Sequence, residues 1–247
     1  MYPPKTKNHG ENFPRPLTTV DVVIFSIRAG KLCVLLVKRP EAKGENKNEP
    51  FPGRWALPGG FVDVARDRDL QSCAARKLKE KTGIASPYLE QLGSWGSATR
   101  DPRGWSATHV YLALLPSIPI TLAHGGNAAE TAWYEIEATG VSVRLAFDHK
   151  ALLAAALARV RAKVEYTSLP VHFVEEPFTL TDVQKAYEVL LGRPVNKAAF
   201  RTRLLGAGIV VSTGEFRGGQ ARPAELFRLA AGRDELTYFP RTFSPRT

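Results

Sequence analysis

The chain has 247 residues, of which 44% are hydrophobic, so it is long enough for one large domain or two ordinary ones with a substantial core. Its formal net charge of +10 favours anionic partners such as nucleic acids, nucleotides or phosphates. It lacks a membrane-length apolar run, a signal-peptide core and cysteine spacings typical of disulfide or zinc sites, and we therefore expect a cytoplasmic protein.

After a polar, proline-rich tail at residues 1–17, the first part of the chain has the pattern of a mixed α+β domain. Runs of β-branched residues predict strands, and a short turn at residues 28–31 separates the first two. A charged loop runs from Pro40 to Gly53, and Gly83 is placed to end a helix. The expected elements are strands Val20–Ile27, Leu32–Val37, Trp55–Phe61, Leu89–Trp95, His109–Leu115 and Ala132–Ile136 and one helix over residues 68–82.

The composition changes near Asp148, where an alanine- and leucine-rich stretch predicts a helix over residues 149–162. A second helix is expected to start with a capping box at residues 181–184 and to end at Gly192. Asn196 is expected to cap a third helix, Lys197–Leu205, and hairpin strands are expected at residues 209–211 and 226–229. Helix, turn, helix and hairpin is the order of a winged helix-turn-helix.

The stretches LPGGFV (57–62) and RKLKEKTGI (76–84) resemble the Nudix box, whose pattern is G-x5-E-x7-R-E-U-x-E-E-x-G-U with U a bulky aliphatic residue. The arginine, leucine, glutamate, glycine and isoleucine of the second half fall into place. The resemblance implies the Nudix fold, in which helices sandwich a mixed sheet. With the C-terminal pattern, the expected fold class is α+β, a Nudix domain followed by a winged helix-turn-helix.

The metal-binding part of this box is altered, because the helix face that carries three glutamates in active Nudix hydrolases carries Lys77, Glu80 and Lys81. Those glutamates hold Mg²⁺, and two ammonium groups in their place would repel a cation. The upstream glutamate is replaced by Arg66, and the spacing from there to Arg76 is two residues longer than in the pattern. We therefore expect no catalytic residues and no metal site. Three nearby aspartates could in principle compensate: Asp63, Asp67 and Asp69.

A nucleotide site can persist without the chemistry, and residues 100–105 (RDPRGW) are the best candidates for ligand contact. Two arginines could bind a diphosphate and the indole could stack on a base, although an ordinary turn with a packed tryptophan is an equal alternative. The residues expected at the effector site are Arg39, Trp55, Gly59, Gly60, Phe61, Lys77, Glu80, Arg100, Asp101, Arg103 and Trp105.

The third expected helix, Lys197–Leu205, is basic on one face, where Lys197 and Arg201 are four residues apart. Its other face is apolar and carries Phe200 and Leu204. Such a helix can be held by its apolar side with its basic side in a DNA groove, while a basic hairpin follows the phosphates. A surface helix with scattered arginines is the alternative. The residues expected to bind DNA are Arg193, Asn196, Lys197, Arg201, Thr202, Arg203, Arg217 and Arg222.

Taken together, both halves resemble the Nudix-related transcriptional regulators, bacterial repressors of NAD cofactor metabolism. The matching stretches are residues 57–62, 76–83, 100–106, 146–149, 176–180, 188–194, 200–204 and 222–229. The resemblance implies a homodimer on a near-palindromic double-stranded operator and an effector, often ADP-ribose, with no required cofactor. It also implies that Arg100, Arg103 and Trp105 lie at the effector pocket and that Arg201, Arg203 and the wing around Arg222 face DNA.

We accordingly divide the chain into a tail (1–17), a Nudix-like effector-binding domain (18–147), a connecting helix (148–165), a winged-helix domain (166–232) and a second tail (233–247). The longer Pro40–Gly53 loop, the longer box spacing and the basic tail after Gly232 depart from the family pattern. Two other functions stay open at this point. One is a working Nudix diphosphate hydrolase with a regulatory C-terminal domain, and the other is a nucleic-acid-binding or RNA-decapping partner without sequence preference.

Overall fold

The computed structural model describes residues 15–42, 49–84, 88–117, 129–138, 140–218, 223–230 and 236–239. No helix in this part of the chain is long and apolar enough to cross a membrane. The strands are β1 (Leu17–Arg28), β2 (Lys31–Lys38), β3 (Trp55–Ala56), β4 (Gly59–Phe61), β5 (Tyr88–Ser97), β6 (Ser106–Leu115), β7 (Glu130–Glu135), β8 (Val210–Arg217) and β9 (Ala224–Leu229). The helices are α1 (Leu70–Thr82), α2 (His149–Val164), α3 (Leu180–Leu191) and α4 (Lys197–Gly206), with a short 3-10 helix at Leu169–Phe173.

Strand β1 is the centre of a mixed seven-stranded sheet. It pairs in parallel with β6 over residues 17–26, while its other edge pairs antiparallel with β4 and then with β2. Because successive side chains of a strand point to opposite faces, β1 supplies apolar residues to both sides. Val20, Val22 and Ile24 pack towards α1, and Val23 and Phe25 pack towards α2.

The segment expected to be one strand, Trp55–Phe61, is instead two short strands, β3 and β4. Between them the backbone N–H of Leu57 donates to His149 Nδ1 over 2.9 Å, and Pro58 has no N–H to offer a neighbouring strand. The chain therefore changes partner here, from β2 on one side to β1 on the other.

Helix α1 has clear start and stop signals. The Asp69 side chain accepts a hydrogen bond from the backbone N–H of Ser72, whose hydroxyl in turn accepts from the Asp69 N–H, forming a capping box. Gly83 ends the helix with φ of 70°, a left-handed conformation that favours glycine, as the sequence predicted. The polar face of the helix lies beside Gly59 and Gly60, and both line the same cleft.

The C-terminal unit has the expected order of α3, α4 and a two-stranded hairpin. The capping box of α3 lies two residues earlier than predicted, since Thr179 caps the helix and pairs with Asp182. Asn196 caps α4 as expected, by accepting from the backbone N–H of Ala199. Both hairpin strands are longer than predicted.

The two halves share one apolar core rather than meeting at a thin contact. Side chains from β1, β2 and β6 pack on Leu152, Ala156 and Val160 of α2, and the same core continues into α3 and α4. At the far end of α2, Arg159 and Lys163 both pair with Glu90 of β5. The helix expected to connect the domains is therefore packed against both of them along its length.

The tail proposed for residues 233–247 includes a segment that packs against the domain. The backbone N–H of Phe239 donates to Tyr166 O over 2.7 Å, and that of Ser168 donates to Thr237 O over 2.9 Å. The Phe239 ring is buried under Arg203 of α4. At the other end, Leu17 belongs to β1 and not to the first tail.

Candidate effector cleft and DNA-binding surface

A cleft of about 840 Å³ opens where the N-terminal half of β1, the turn around β4, the polar face of α1 and the start of α2 meet. It is lined by all the residues expected at the effector site except two tryptophans. The lining members of that set are Arg39, Gly59, Gly60, Phe61, Lys77, Glu80, Arg100, Asp101 and Arg103.

At the face of α1 that would hold a metal, the carboxylates are already paired with arginines of the same region. Asp67, with its side chain only 1% exposed, accepts two hydrogen bonds of 2.6 Å from Arg76. This contact with a guanidinium lowers the pKa of the Asp67 carboxyl far below its usual value. Arg76 also donates to Glu80 over 3.0 Å, and Arg66 lies 3.7 Å from the same carboxylate. Glu80 therefore already has two cationic neighbours.

The other side chains on this face are cations. The ammonium of Lys77 lies against Gly60, 3.1 Å from where a Cβ would be. Burial lowers the pKa of Lys81, and the positive charge of Lys77 lowers it further. Mg²⁺ requires several oxygen ligands in octahedral geometry, and one ion-paired glutamate between two lysines does not offer them.

The three aspartates that could have compensated for lost metal ligands have structural roles. Asp67 pairs with Arg76 and accepts from the Asp63 N–H, Asp63 accepts from the Ala65 N–H, and Asp69 caps α1. Within the described part of the chain, no group of three acidic, histidine or cysteine side chains is placed to hold a metal ion. The donor set present thus does not fit the magnesium of active Nudix enzymes.

The floor of the cleft is a buried polar network that ties β1, the β5–β6 loop and the start of α2 together. Arg100 donates to both oxygens of Asp148, over 3.0 and 2.9 Å, and lies 3.7 Å from Asp21. Asp21 accepts from the Thr108 hydroxyl over 2.7 Å and faces His149 Nε2 at 3.7 Å. Burial lowers the pKa of His149, so the neutral ring can accept the Leu57 N–H described above.

Gly59 allows β4 to approach the Asp21 side of this network closely. A Cβ at Gly59 would be 2.1 Å from Asp21 Oδ1 and 2.6 Å from the Val20 carbonyl oxygen, so no larger residue fits. Gly60 has φ of 143°, which other residues rarely adopt. The two glycines therefore permit the close packing of β4 on β1 that shapes the cleft floor.

The opposite wall of the cleft is formed by Arg39 and Arg103. Arg39 donates to Glu49 over 2.6 Å and to the Pro50 carbonyl oxygen over 2.6 Å. Arg103 donates to both oxygens of Asp101, over 3.0 and 2.8 Å, and its remaining nitrogen lies 3.8 Å from Glu49. Arg103 also lies over the Phe61 ring at 5.0 Å. Each arginine is thus paired with a carboxylate.

Three residues expected to contact the effector have other surroundings. Trp55 packs edge-on against Tyr134, with 4.8 Å between ring centroids, and is not among the residues that line the cleft. Trp105 is 52% exposed beside Gly96. Arg100 lines the cleft, where its guanidinium is held by Asp148 and Ser106, so a bound phosphate would have to compete with these partners.

The exposed side of α4 carries Lys197, Arg201 and Thr202, which we call the basic face of α4. Neither Lys197 nor Arg201 forms an ion pair with any residue that the structure describes. The opposite side is anchored by Phe200, which meets Tyr187 edge-on at 5.3 Å, and by Leu204. This is the layout that the sequence predicted for a helix presented to a groove.

The other residues expected to bind DNA are less uniform. Arg203 lies on the inner side of α4 with its guanidinium 4.4 Å from the Phe239 centroid, and burial lowers its pKa. Arg193 is 3.6 Å from Glu165 at the end of α2, and Arg217 pairs with Asp182 over 2.9 Å. Arg222 lies outside the described residues. Asn196 is exposed but serves as the helix cap.

Sequence reasoning did not identify Asp21 and His149 as parts of the cleft, Thr108 as the partner of Asp21, or Glu49 as a partner of the cleft arginines. A signal existed for Asp21, since it is a single carboxylate inside an otherwise apolar strand and must have buried partners. The prediction that Arg203 binds DNA could also have been questioned. Arg203 is three residues from the buried Phe200, so it lies near the anchored side of the helix.

Two family models match the chain. One describes the Nudix domain and matches residues 16–156, and the other describes the NrtR DNA-binding winged helix domain and matches residues 170–229. The expected fold class, a Nudix domain followed by a winged helix in an α+β chain, is confirmed by these matches.

Similar proteins carry both halves. An "ADPR responsive transcriptional repressor NtrR" of Acinetobacter baylyi is 44% identical over 93% of this chain and 88% of its own length. A crystal structure of Shewanella oneidensis NrtR with a 27mer DNA is 37% identical, covers 91% of this chain and 98% of its own, and has a TM-score of 0.78. A structure of that protein's Nudix domain with ADP ribose is 38% identical over 62% of this chain and 94% of its own, with a TM-score of 0.54.

Proposed function

Since the chain belongs to the NrtR family of Nudix-related transcriptional regulators, we propose that it is a DNA-binding repressor of NAD-related metabolism that responds to ADP-ribose or a related nucleotide. Double-stranded operator DNA binds the winged helix, and the nucleotide binds the Nudix cleft. The relative from Acinetobacter is itself described as ADPR-responsive, and the relative from Shewanella was crystallised with DNA and, as its Nudix domain, with ADP ribose.

The observation that carries the proposal is the basic face of α4, presented by a helix whose other side is buried. Exposed cations without carboxylate partners release counterions when they meet DNA phosphates, and this supplies affinity. Arg201 and Lys197 are one turn apart on that face, so both can reach one groove. Arg217 of the wing is instead paired with Asp182 in the first turn of α3.

The cleft is suited to a phosphate-bearing nucleotide for two reasons. Its walls carry Arg39, Arg103 and Lys77, and its glycine turn brings the backbone close to the bound group. An arginine binds phosphate and carboxylate oxygens with the same pair of N–H groups, so a ligand phosphate can replace a carboxylate that the arginine now contacts.

We further propose that the Nudix domain is not catalytic and requires no metal cofactor in this role. The support is the charge of the α1 face, where Glu80 is paired with Arg76 and flanked by Lys77 and Lys81. A hydrolase would need that face to hold Mg²⁺. Release of AMP and ribose phosphate from ADP-ribose in the presence of Mg²⁺ would contradict this proposal.

The coupling between the two ligands would run through α2. Asp148, which precedes the helix, and His149, its first residue, belong to the cleft floor, while Glu165 after its last turn contacts Arg193 ahead of α4. A nucleotide that shifts the cleft floor would therefore move a helix packed under the DNA-binding unit. A homodimer on a two-fold operator, as in other winged-helix repressors, would place two copies of α4 about one helical turn apart.

The test is a fluorescence anisotropy titration of the protein with the duplex upstream of its own or neighbouring genes, with and without ADP-ribose, at physiological salt. Sequence-dependent binding that changes with ADP-ribose is the expected result. Binding no tighter than to a scrambled duplex of equal length would contradict the repressor assignment for that site. Light scattering of the free protein and the complex tests the dimer.

A further inference from the structure

Two cleft arginines converge on one carboxylate that does not belong to the sheet. Arg39 donates to Glu49 Oε2 over 2.6 Å, and Arg103 Nη1 is 3.8 Å from the same oxygen. All three side chains line the cleft. The Arg39 side chain is only 14% exposed, so the pair is shielded from solvent more than a surface ion pair would be.

Glu49 is held at this place by the segment that follows it. Phe51 packs edge-on against Phe147 with 4.7 Å between ring centroids, and Arg39 lies over the same Phe147 ring at 5.0 Å. The Arg39 guanidinium also donates to the Pro50 carbonyl oxygen. The carboxylate is therefore positioned because the segment that follows it packs on Phe147, the residue before Asp148.

The charges explain why a carboxylate is favourable here. Burial lowers the pKa of Arg39, the neighbouring Arg103 lowers it further, and Glu49 opposes both effects. Arg103 has its hydrogen bonds to Asp101, so Glu49 chiefly offsets the charge of Arg39 in this partly buried wall while lying within 3.8 Å of Arg103. A phosphate group offers the same paired oxygens, with more charge, to the same donors.

We infer that Glu49 is an internal competitor for the anionic group of the effector, so that a phosphate-bearing ligand reaches Arg39, and the Nη1 group of Arg103, only by displacing this carboxylate. The inference rests on the proposed function, since it takes the cleft to be the nucleotide site. Glu49 would then set the ligand concentration at which the cleft fills, and it would disfavour ligands with too little negative charge to replace it.

The experiment measures ADP-ribose binding by isothermal titration calorimetry to the full chain and to Glu49→Gln. Removing the competing charge should tighten binding about five-fold, the size expected for loss of one partly buried ion pair. Glu41→Gln is the matched control, because Glu41 is on the same loop but lies against Gly53 and not against the arginines. Its affinity should equal that of the unaltered chain.

Two further titrations isolate the charge. Adenosine, which has no phosphate, should bind Glu49→Gln and the unaltered chain equally, so that tightening is confined to the anionic ligand. Glu49→Asp keeps the charge on a side chain shorter by one methylene, and its affinity for ADP-ribose should lie between the other two.

The outcomes separate the inference from the proposed function. Unchanged or weaker ADP-ribose binding by Glu49→Gln, with normal binding by the unaltered chain, overturns the competitor and leaves the effector site in place. Tightening for adenosine as well overturns it too, since the effect would then be steric. If no variant binds ADP-ribose while all bind operator DNA, the effector assignment fails and the inference fails with it.

Discussion

Positive charge is arranged differently in the cleft and on α4. In the cleft every arginine has a carboxylate partner, as in the pairs Arg100 with Asp148 and Arg103 with Asp101. On the basic face of α4, Lys197 and Arg201 point outwards without such partners among the described residues. A ligand that binds the cleft arginines must exchange one ion pair for another, whereas DNA meets cations on α4 that only water and salt neutralise.

The difference shows that a count of basic residues does not locate a binding site by itself. The net charge of +10 comes from both kinds of residue. Paired arginines contribute shape, rigidity and the possibility of selection, because they bind only an anion that competes with their partner. Unpaired ones contribute affinity that depends on salt.

The largest expected effect is the loss of stability that follows when a buried ion pair is broken. Arg76→Met leaves the Asp67 carboxylate, 1% exposed, without its guanidinium, and we expect the free energy of unfolding to fall by about 3–5 kcal/mol. Chemical denaturation followed by circular dichroism measures this. Arg68→Met is the control, since Arg68 pairs with Asp69 at the surface and its loss should change stability by less than about 1 kcal/mol. Equal losses in the two variants would contradict the contrast.

The next effect concerns the basic face of α4. Arg201→Ala should weaken operator binding about ten-fold or more, equivalent to roughly 1–3 kcal/mol, while the unfolding temperature stays unchanged because the side chain is exposed. Anisotropy titration and a thermal melt on the same protein sample check both parts. A variant that binds the operator normally would remove Arg201 from the interface.

Arg203 is expected to behave in the opposite way. Its guanidinium covers the Phe239 ring, so Arg203→Ala should destabilise the protein by about 1 kcal/mol through loss of this contact. Operator affinity, measured well below the melting temperature, should change less than in Arg201→Ala. A loss of affinity as large as for Arg201→Ala with an unchanged melt would place Arg203 at the DNA after all.

The smallest expected effect is on salt dependence. If Lys197 neutralises one phosphate, Lys197→Ala should reduce the slope of log affinity against log salt by about 0.9 for operator and scrambled duplex alike. Titrations at four salt concentrations give the slope. For ADP-ribose the slope should not change, since the cleft is built from other residues.

Much of this fold could be predicted because its signals are local. The cap at Asn196, the stop at Gly83 and the glycine turn before α1 are read from neighbouring residues, and the structure confirms them. The Thr179 cap was placed two residues late, since Thr181 followed by Asp182 gives a competing local pattern. A local pattern locates the end of a helix or strand only when the nearby sequence offers a single capping residue.

The candidate site was less predictable, because its geometry depends on partners far apart in the chain. Arg100 was expected to bind ligand and Arg203 to face DNA, and each meets a side chain dozens of residues away that no spacing rule connects to it. Glu49 lies in a loop whose composition indicated only a loop. Tertiary packing decides whether an arginine side chain points to solvent or to the core. The helical pattern identifies the apolar side of a helix, but it does not give the roles of the residues at the edge of that side.

The segment at residues 236–239 supports the DNA-binding unit from its inner side. The chain enters the unit near Tyr166, and residues 237–239 return beside it, where the two backbone segments are hydrogen bonded. The returning segment places Phe239 under Arg203, so the inner side of α4 is held by residues that follow the hairpin in the chain. A protein truncated before residue 236 would lose this support, and its winged helix would be weakened from the side opposite the basic face of α4.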